Sequence, residues 1–182
     1  MLRCIHCNRS ENKVTLSSSF QCLDKLDCWN IVQDRNRIAI VVIYFDCACN
    51  GINKAEGTEM GVGIAAYIDG IYSEEYSGSR LIPKGTIDIG EFTAFIYALS
   101  VAILIRKTYA KYTFKIFGDS QFVVRATNGI NRVGAKHFAY HNKANKLKKQ
   151  LDTSLQSIIW IPREQNMVAD KLSKEAIHSL FT

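Results

Sequence analysis

The sequence contains no long hydrophobic run. Its longest uninterrupted apolar stretch, Ile38 to Phe45, falls far short of the roughly 20 residues that cross a bilayer, so neither a transmembrane helix nor a membrane partner is expected. The start, Met1-Leu2-Arg3-Cys4-Ile5-His6-Cys7, lacks a basic stretch followed by an apolar one and a small-residue cleavage site. No secretory signal is read there, and the expected location is cytoplasmic. Internal repeats and low-complexity segments are also missing, which excludes repeat arrays and compositionally biased chains. Acidic residues are absent from one whole region. Between Ser120 and Leu151 there is no Asp or Glu, while Arg125, Arg132, Lys136, Lys143, Lys146, Lys148 and Lys149 all fall inside it. Such a stretch suits a phosphate backbone and equally suits a solvated helix face. The overall balance, 23 Lys plus Arg against 17 Asp plus Glu for a net +6, excludes little.

A chain of 182 residues with 47% hydrophobic content fits one ordinary domain with a short appendage. Six cysteines without a secretory signal argue against a disulfide scaffold and leave metal ligation or burial. Cys4, Cys7, Cys22 and Cys28 precede a polar stretch from Asn30 to Arg37. We therefore divide the chain into a Cys-rich segment, residues 1–36, and a main domain, residues 37–182. Four thiolates would close a tetrahedral site for which Zn²⁺ is the natural occupant. A segment with so few large apolar residues would gain from such a staple. The five-residue spacing of the second pair is looser than a usual knuckle, so free thiols, or a segment ordered only by docking, stay open. His6, inside the first pair, could substitute as a ligand but is expected to point outward. The segment's role is equally open between a second phosphate-binding surface, a protein-docking module and a stabilising cap.

The run from Ile38 is β-prone and predicts a strand buried on both faces that ends at Asp46. A second strand over Gly61 to Ile68 and a third over Ile71 to Tyr76 are joined by Asp69-Gly70, which suits a tight antiparallel hairpin. Phe92, Phe95, Ile96 and Leu99 recur at helical spacing, predicting a buried helix over Glu91 to Ile105 whose first turn carries Glu91. A fourth strand, Tyr112 to Phe117, leads through Gly118-Asp119-Ser120 into a short helix that breaks at Asn128-Gly129. A basic helix over Lys136 to Leu151, a strand over Ser157 to Ile161 and a closing helix over Gln165 to Leu180 complete an α/β order. His137, His141 and His178 are read as surface residues, and Trp29 and Trp160 as packing residues, Trp160 in a core strand.

Asp46, Glu91 and Asp119 thus stand at ends of elements, where rigid structure can hold a side chain that still reaches solvent. Each also has an ordinary explanation. Asp119 would cap the helix that follows it, Glu91 would favour a helix N-terminus, and Asp46 would end a strand at the surface.

Four segments in order carry a resemblance. They are Tyr44-Phe45-Asp46-Cys47-Ala48; Glu91-Phe92-Thr93-Ala94 with Ala98-Leu99; Gly118-Asp119-Ser120-Gln121-Phe122-Val123; and Trp160-Ile161-Pro162-Arg163-Glu164-Gln165-Asn166-Met167-Val168-Ala169-Asp170-Lys171-Leu172-Ser173. From Ile38 to Ala176 the chain resembles type 1 ribonuclease H. The resemblance implies a ribonuclease H-like fold, a five-stranded mixed sheet flanked by helices, preceded here by the Cys-rich segment. It implies an endonuclease that hydrolyses the RNA strand of RNA/DNA hybrids and leaves 5′-phosphate and 3′-hydroxyl ends. Asp46, Glu91, Asp119 and Asp170 would form its acidic metal site, with Asp46 bridging two ions, Glu91 and Asp119 serving the ion nearer the leaving group, and Asp170 the ion that holds the water. Four converging carboxylates need cations, and hard oxygen donors suit Mg²⁺ or Mn²⁺. Gln121 matches a position that contacts the RNA strand and Thr86 one that holds a phosphate of the DNA strand, while Arg163 and Asn166 are further substrate-binding candidates. Contacts with 2′-hydroxyls across a shallow minor groove would make recognition sequence-tolerant.

The sequence departs from the family pattern in three places. Cys47 replaces a glycine. Thr86-Ile87-Asp88-Ile89-Gly90-Glu91 lacks the two asparagines of the usual segment, which implies a reduced hybrid affinity. The mobile histidine loop is replaced by the shorter Pro162-Arg163-Glu164-Gln165-Asn166, so that Arg163 either assists near the scissile phosphate or forms a structural salt bridge. A non-catalytic nucleic-acid-binding module on the same fold is the rival reading, and a full set of mutually repelling carboxylates weighs against it.

Overall fold

The first strand, β1 (Ala39–Cys49), opens with a β-branched run, Ile40 to Ile43, followed by Tyr44 and Phe45, and its two faces are treated differently. Val41, Ile43, Phe45 and Cys47 are buried, whereas Ile40 is exposed and Val42 and Tyr44 are half-buried. Only one face is therefore fully covered, not the two expected. The computed structural model describes residues 38–49, 58–108 and 111–179. Cys4, Cys7, Cys22 and Cys28, with Trp29 and the boundary at residue 36, lie outside the described residues.

β1 pairs antiparallel with β2 (Thr58–Ile68) from Val41↔Ile68 to Cys49↔Met60. On its other side it runs parallel to β5 (Tyr112–Gly118), and that pairing stops at Phe45↔Gly118. Asp46 is thus inside the strand rather than at its end, at the point where one neighbour has finished and the other continues. β6 (Leu155–Trp160) extends the sheet beyond β5, in parallel.

Asp69 and Gly70 both adopt positive φ, 51° and 82°, which is the turn a two-residue hairpin requires, and they join β2 to β3 (Ile71–Tyr72). β3 is much shorter than expected. Ser73 to Ser77 leaves the sheet, with the Ser77 hydroxyl oxygen accepting from the Ala66 amide at 2.8 Å, and the same edge of β2 is then taken up by β4 (Gly78–Gly85). The polar Ser-Glu-Glu bend breaks the expected third strand, and its second half, with only Leu81-Ile82 between polar and charged residues, has little apolar signal to reveal it. Six strands therefore fill the five positions of a mixed sheet.

The helix α1 (Ile87–Thr108) begins one turn earlier than the apolar pattern suggests, the Gly90 amide donating to the Thr86 carbonyl at 3.0 Å. Ile87, Ile89 and Gly90 are weak helix formers, which hid this first turn in the sequence. Its 22 residues are long and apolar enough to suit a bilayer, but Phe92, Phe95, Leu99 and Ile105 are buried in the hydrophobic core. Phe95 lies 5.4 Å from the Phe45 ring, so α1 covers the Val41–Cys47 face of the sheet. α2 (Gln121–Thr127) and α3 (Ala135–Leu151) pack beside it. His137, expected at the surface, is buried between Phe92 and Phe122, its ring 5.9 and 5.0 Å from theirs. His141 sits edge-on to Phe92.

The opposite face receives α4 (Met167–His178). This helix approaches β2 closely enough that a Cβ on Gly63 would lie 2.1 Å from the Ala169 carbonyl oxygen, and one on Gly61 2.1 Å from that of Ser173. Glycine is required at both positions by backbone contact. The helix answers with small residues, Ala169, Ser173 and Ala176, all buried. Substitution Gly63→Ala should therefore lower stability by about 3 kcal/mol, since overfilling a packed seam displaces backbone. Urea unfolding would measure it, and an unchanged midpoint would show that α4 is not seated this tightly.

Candidate active site

β1, α1 and the end of β5 each deliver one carboxylate to a common cleft of ≈ 300 Å³. Ligand oxygens of Asp46, Glu91 and Asp119 lie within 4.8 Å of one another. The ordinary explanations of these residues do not survive this placement. Asp46 is inside a strand and only 3% exposed. Glu91 sits beyond the first turn of α1, where Asp88 stands instead. The cap of α2 is Ser120, whose Oγ accepts from the Val123 amide at 3.4 Å, so the Asp119 carboxylate is free of that task.

Asp170 is brought to the rim rather than into this group. Its Oδ1 pairs with Arg163 Nη2 at 2.6 Å and its Oδ2 with Lys174 Nζ. Burial alone would raise its pKa, but hydrogen bonds and charge from Lys174 and Arg163 outweigh that and hold it below the usual carboxylate range. The salt-bridge reading of Arg163 is thus the one found in this structure. Its side chain is nonetheless 66% exposed at the cleft.

Two residues of the α4 region orient the carboxylates. Asn166 is buried, and its Nδ2 donates to the Phe45 carbonyl at 2.9 Å and to Asp119 Oδ1 at 3.1 Å. Asn166 therefore positions Asp119. The Ser173 hydroxyl donates to Asp46 Oδ2 at 2.7 Å. Nothing in the sequence pattern marked Ser173 beyond its place in the closing block.

The other expected substrate contacts are placed differently. Gln121 is exposed at the first position of α2. Thr86 stands immediately before α1, and its Oγ1 is buried without a hydrogen-bond partner among the described residues. Cys47, in place of a glycine, points at Gly90, where a Cβ would stand 2.4 Å from its Sγ. The thiol fits because residue 90 has no side chain. Trp160 is 42% exposed on the edge strand, with its indole donating to the Asp119 carbonyl at 2.9 Å, and is not the core residue expected. Lys174 and His178, one and two turns beyond Asp170, also line the cleft. Helical spacing of four from Asp170 is the signal that would have found them.

Of the basic stretch, Lys148 is tied to the Thr127 carbonyl and Lys136 lies 3.9 Å from Asp88. Arg125, Arg132, Lys143, Lys146 and Lys149 remain exposed.

The sequence model of the family described as reverse transcriptase-like matches residues 49–176, more than half of the chain. The chain belongs to this family. Its fold is that of type 1 ribonuclease H. The ribonuclease H1 of the archaeon Halobacterium salinarum is 26% identical, superposes with a TM-score of 0.65, and aligns over 77% of this chain and 98% of its own. LC11 ribonuclease H1, isolated from compost and solved with an RNA/DNA hybrid, is 24% identical with a TM-score of 0.68 over 78% and 99%. The N-terminal ribonuclease H domain of a Mycobacterium tuberculosis protein is 21% identical with a TM-score of 0.65 over 78% and 95%. The family match begins beyond Asp46, so it is the fold that brings this residue to the other carboxylates.

The electrostatics of this ribonuclease H-like cleft call for a cation. Burial raises Asp46 from 3.8 to about 6; the Ser173 bond opposes that shift, and Asp119 and Asp170 add to it. Burial also pushes Glu91 well above the usual range, reinforced by Asp46 and Asp119 and opposed by Arg163. Its Oε2 is buried without a hydrogen-bond partner. Hard, crowded carboxylate oxygens with one orphan fit Mg²⁺ or Mn²⁺ better than a softer ion.

A group whose folded pKa exceeds its unfolded value binds its proton more tightly in the folded state, so stability declines as pH rises between the two values. In the metal-free protein the Asp46 contribution should fall between pH 4 and 6 by as much as about 3 kcal/mol. Asp46→Asn in EDTA is accordingly expected to be more stable than the wild type at pH 7.5, and the two to converge near pH 4. Urea titrations at both pH values test this; a variant no more stable at pH 7.5 contradicts it.

Proposed function

We propose that this chain is a metal-dependent endoribonuclease that cuts the RNA strand of RNA/DNA hybrids, leaving 5′-phosphate and 3′-hydroxyl ends. The observation that carries the reading is the convergence of the Asp46, Glu91 and Asp119 carboxylates, to which Glu91 brings a buried oxygen without a hydrogen-bond partner. Family membership and the hybrid bound by LC11 ribonuclease H1 support it.

Asp46, Glu91, Asp119 and Asp170 would hold the ions, two per site. Bound there, divalent ions supply the charge that ionises an attacking water and steadies the departing 3′ oxygen. The chain's own residues do the rest. Asn166 and Ser173 hold Asp119 and Asp46 by hydrogen bonds to their carboxylates. Arg163 and Lys174 neutralise Asp170 and place positive charge at the mouth of the cleft, where a phosphodiester would enter. Gln121, exposed immediately after Asp119-Ser120, would meet the RNA strand. The exposed lysines and arginines of residues 125–149 offer the non-specific backbone affinity that a sequence-tolerant nuclease needs. For residues 1–36 the proposal is a structural Zn²⁺ held by Cys4, Cys7, Cys22 and Cys28, a segment suited to a protein partner or a second phosphate contact. Elemental analysis of the full chain should then find one zinc ion, released when Cys22 is changed to Ser; a zinc-free chain rules the site out.

The nuclease reading is tested by gel-resolved cleavage of end-labelled RNA as hybrid, duplex RNA and single strand, with Mg²⁺, Mn²⁺ or EDTA. Cutting should be confined to the hybrid and stop in EDTA. Asp46→Asn, Glu91→Gln, Asp119→Asn and Asp170→Asn should each lower it by about 100-fold or more while hybrid binding persists. Hybrid binding without cleavage in either metal would instead identify a non-catalytic module.

A further inference from the structure

The seam between α4 and β2 uses three small residues, and the middle one breaks the pattern. Ala169, Ser173 and Ala176 face Gly61 and Gly63, and the packing there asks only for small size. Alanine satisfies it at two of the three positions and would satisfy it at the third. Ser173 is 0% exposed, so its hydroxyl is withdrawn from water, which is unfavourable unless a partner compensates. Two acceptors are within reach of its single proton, Asp46 Oδ2 at 2.7 Å and the Asp170 carbonyl oxygen at 2.8 Å. The second is the back-bond that any serine in a helix can make. The first is charge-assisted when Asp46 is ionised, roughly twice as strong as a neutral bond, and so takes the proton.

We infer that Ser173 is a positioning residue that locks the Asp46 carboxylate for divalent-ion binding, rather than a packing residue of the seam. A carboxylate with both oxygens free rotates about its Cβ–Cγ bond. Fixing Oδ2 removes that freedom and presents the group in one orientation to ions shared with Glu91 and Asp119. Asp46 and Ser173 come from opposite ends of the domain, and Gly63 unites them. Asp46 pairs with Gly63 in the sheet, and Gly63 is the residue that lets the Ser173 backbone come so near. The inference rests on reading the carboxylate cluster as a metal site, and not on which nucleic acid is cut.

The test is Mn²⁺ binding to the full chain by isothermal titration calorimetry and electron paramagnetic resonance, without substrate, for the wild type, Ser173→Ala and Asp46→Asn. Ser173→Ala preserves the size of the seam residue, so a single cooperative urea transition in EDTA should persist, its midpoint lowered by no more than the loss of one buried hydrogen bond. Its Mn²⁺ affinity should nevertheless fall by about tenfold, the scale seen when an outer partner of a metal ligand is removed. Asp46→Asn should abolish the same binding event. Wild-type Mn²⁺ affinity in Ser173→Ala overturns the inference, as does a wild-type chain with no Mn²⁺ site that depends on Asp46. Loss of affinity in Ser173→Ala without any hybrid cleavage by the wild type would sustain it while sinking the nuclease reading.

Discussion

The site depends on how closely α4 can approach the sheet. Backbone contact at Gly61 and Gly63 brings the helix into van der Waals range of β2, and from that depth Asn166 and Ser173 reach Phe45, Asp46 and Asp119. A side chain at either glycine would hold the helix away and separate Ser173 from Asp46 across a sequence distance of 127 residues. The apolar face of β1 against α1 supplies the rigid floor. Phe45, Phe92, Phe95 and Phe114 are fully buried there, so the strand that carries Asp46 has no freedom to yield to repulsion between the carboxylates.

That repulsion is the second constraint. Asp46 and Glu91 are both withdrawn from water beside Asp119, and burial dominates the upward shift of each. Among the described residues, ion pairs neutralise only the fourth acid. Asp170 has Arg163 and Lys174, and among the described residues no cation is paired with Asp46 or Glu91 in that way. Charge is therefore compensated at the rim and left uncompensated in the centre, the arrangement expected of a site prepared for divalent ions rather than for an internal salt bridge.

Local chemistry was readable from the chain alone. The Ile38–Phe45 run announces a strand, Asp69-Gly70 a hairpin, and Phe92, Phe95 and Leu99 a buried helix, because periodicity and turn conformation are properties of neighbouring residues. The broken third strand and the early turn of α1 were not readable. Ser77 bonding to Ala66 and the register of β4 on β2 are decided by partners distant in sequence, and the intervening Ser-Glu-Glu and Ile-Asp-Ile-Gly segments have weak intrinsic preferences.

The sequence by itself determined the family resemblance, the sheet with its helices, and which acidic residues to watch, because short motifs and residue spacing survive in one dimension. Only the tertiary structure decided what those residues do to one another. It grouped Asp46, Glu91 and Asp119, assigned Asp170 to Arg163 and Lys174, buried Asn166 and His137, and set Ser173 against Asp46. The physical reason is that hydrogen-bond partnership, burial and the resulting charge state depend on three-dimensional packing, and here that packing is governed by two glycines on β2 whose importance no local pattern expresses.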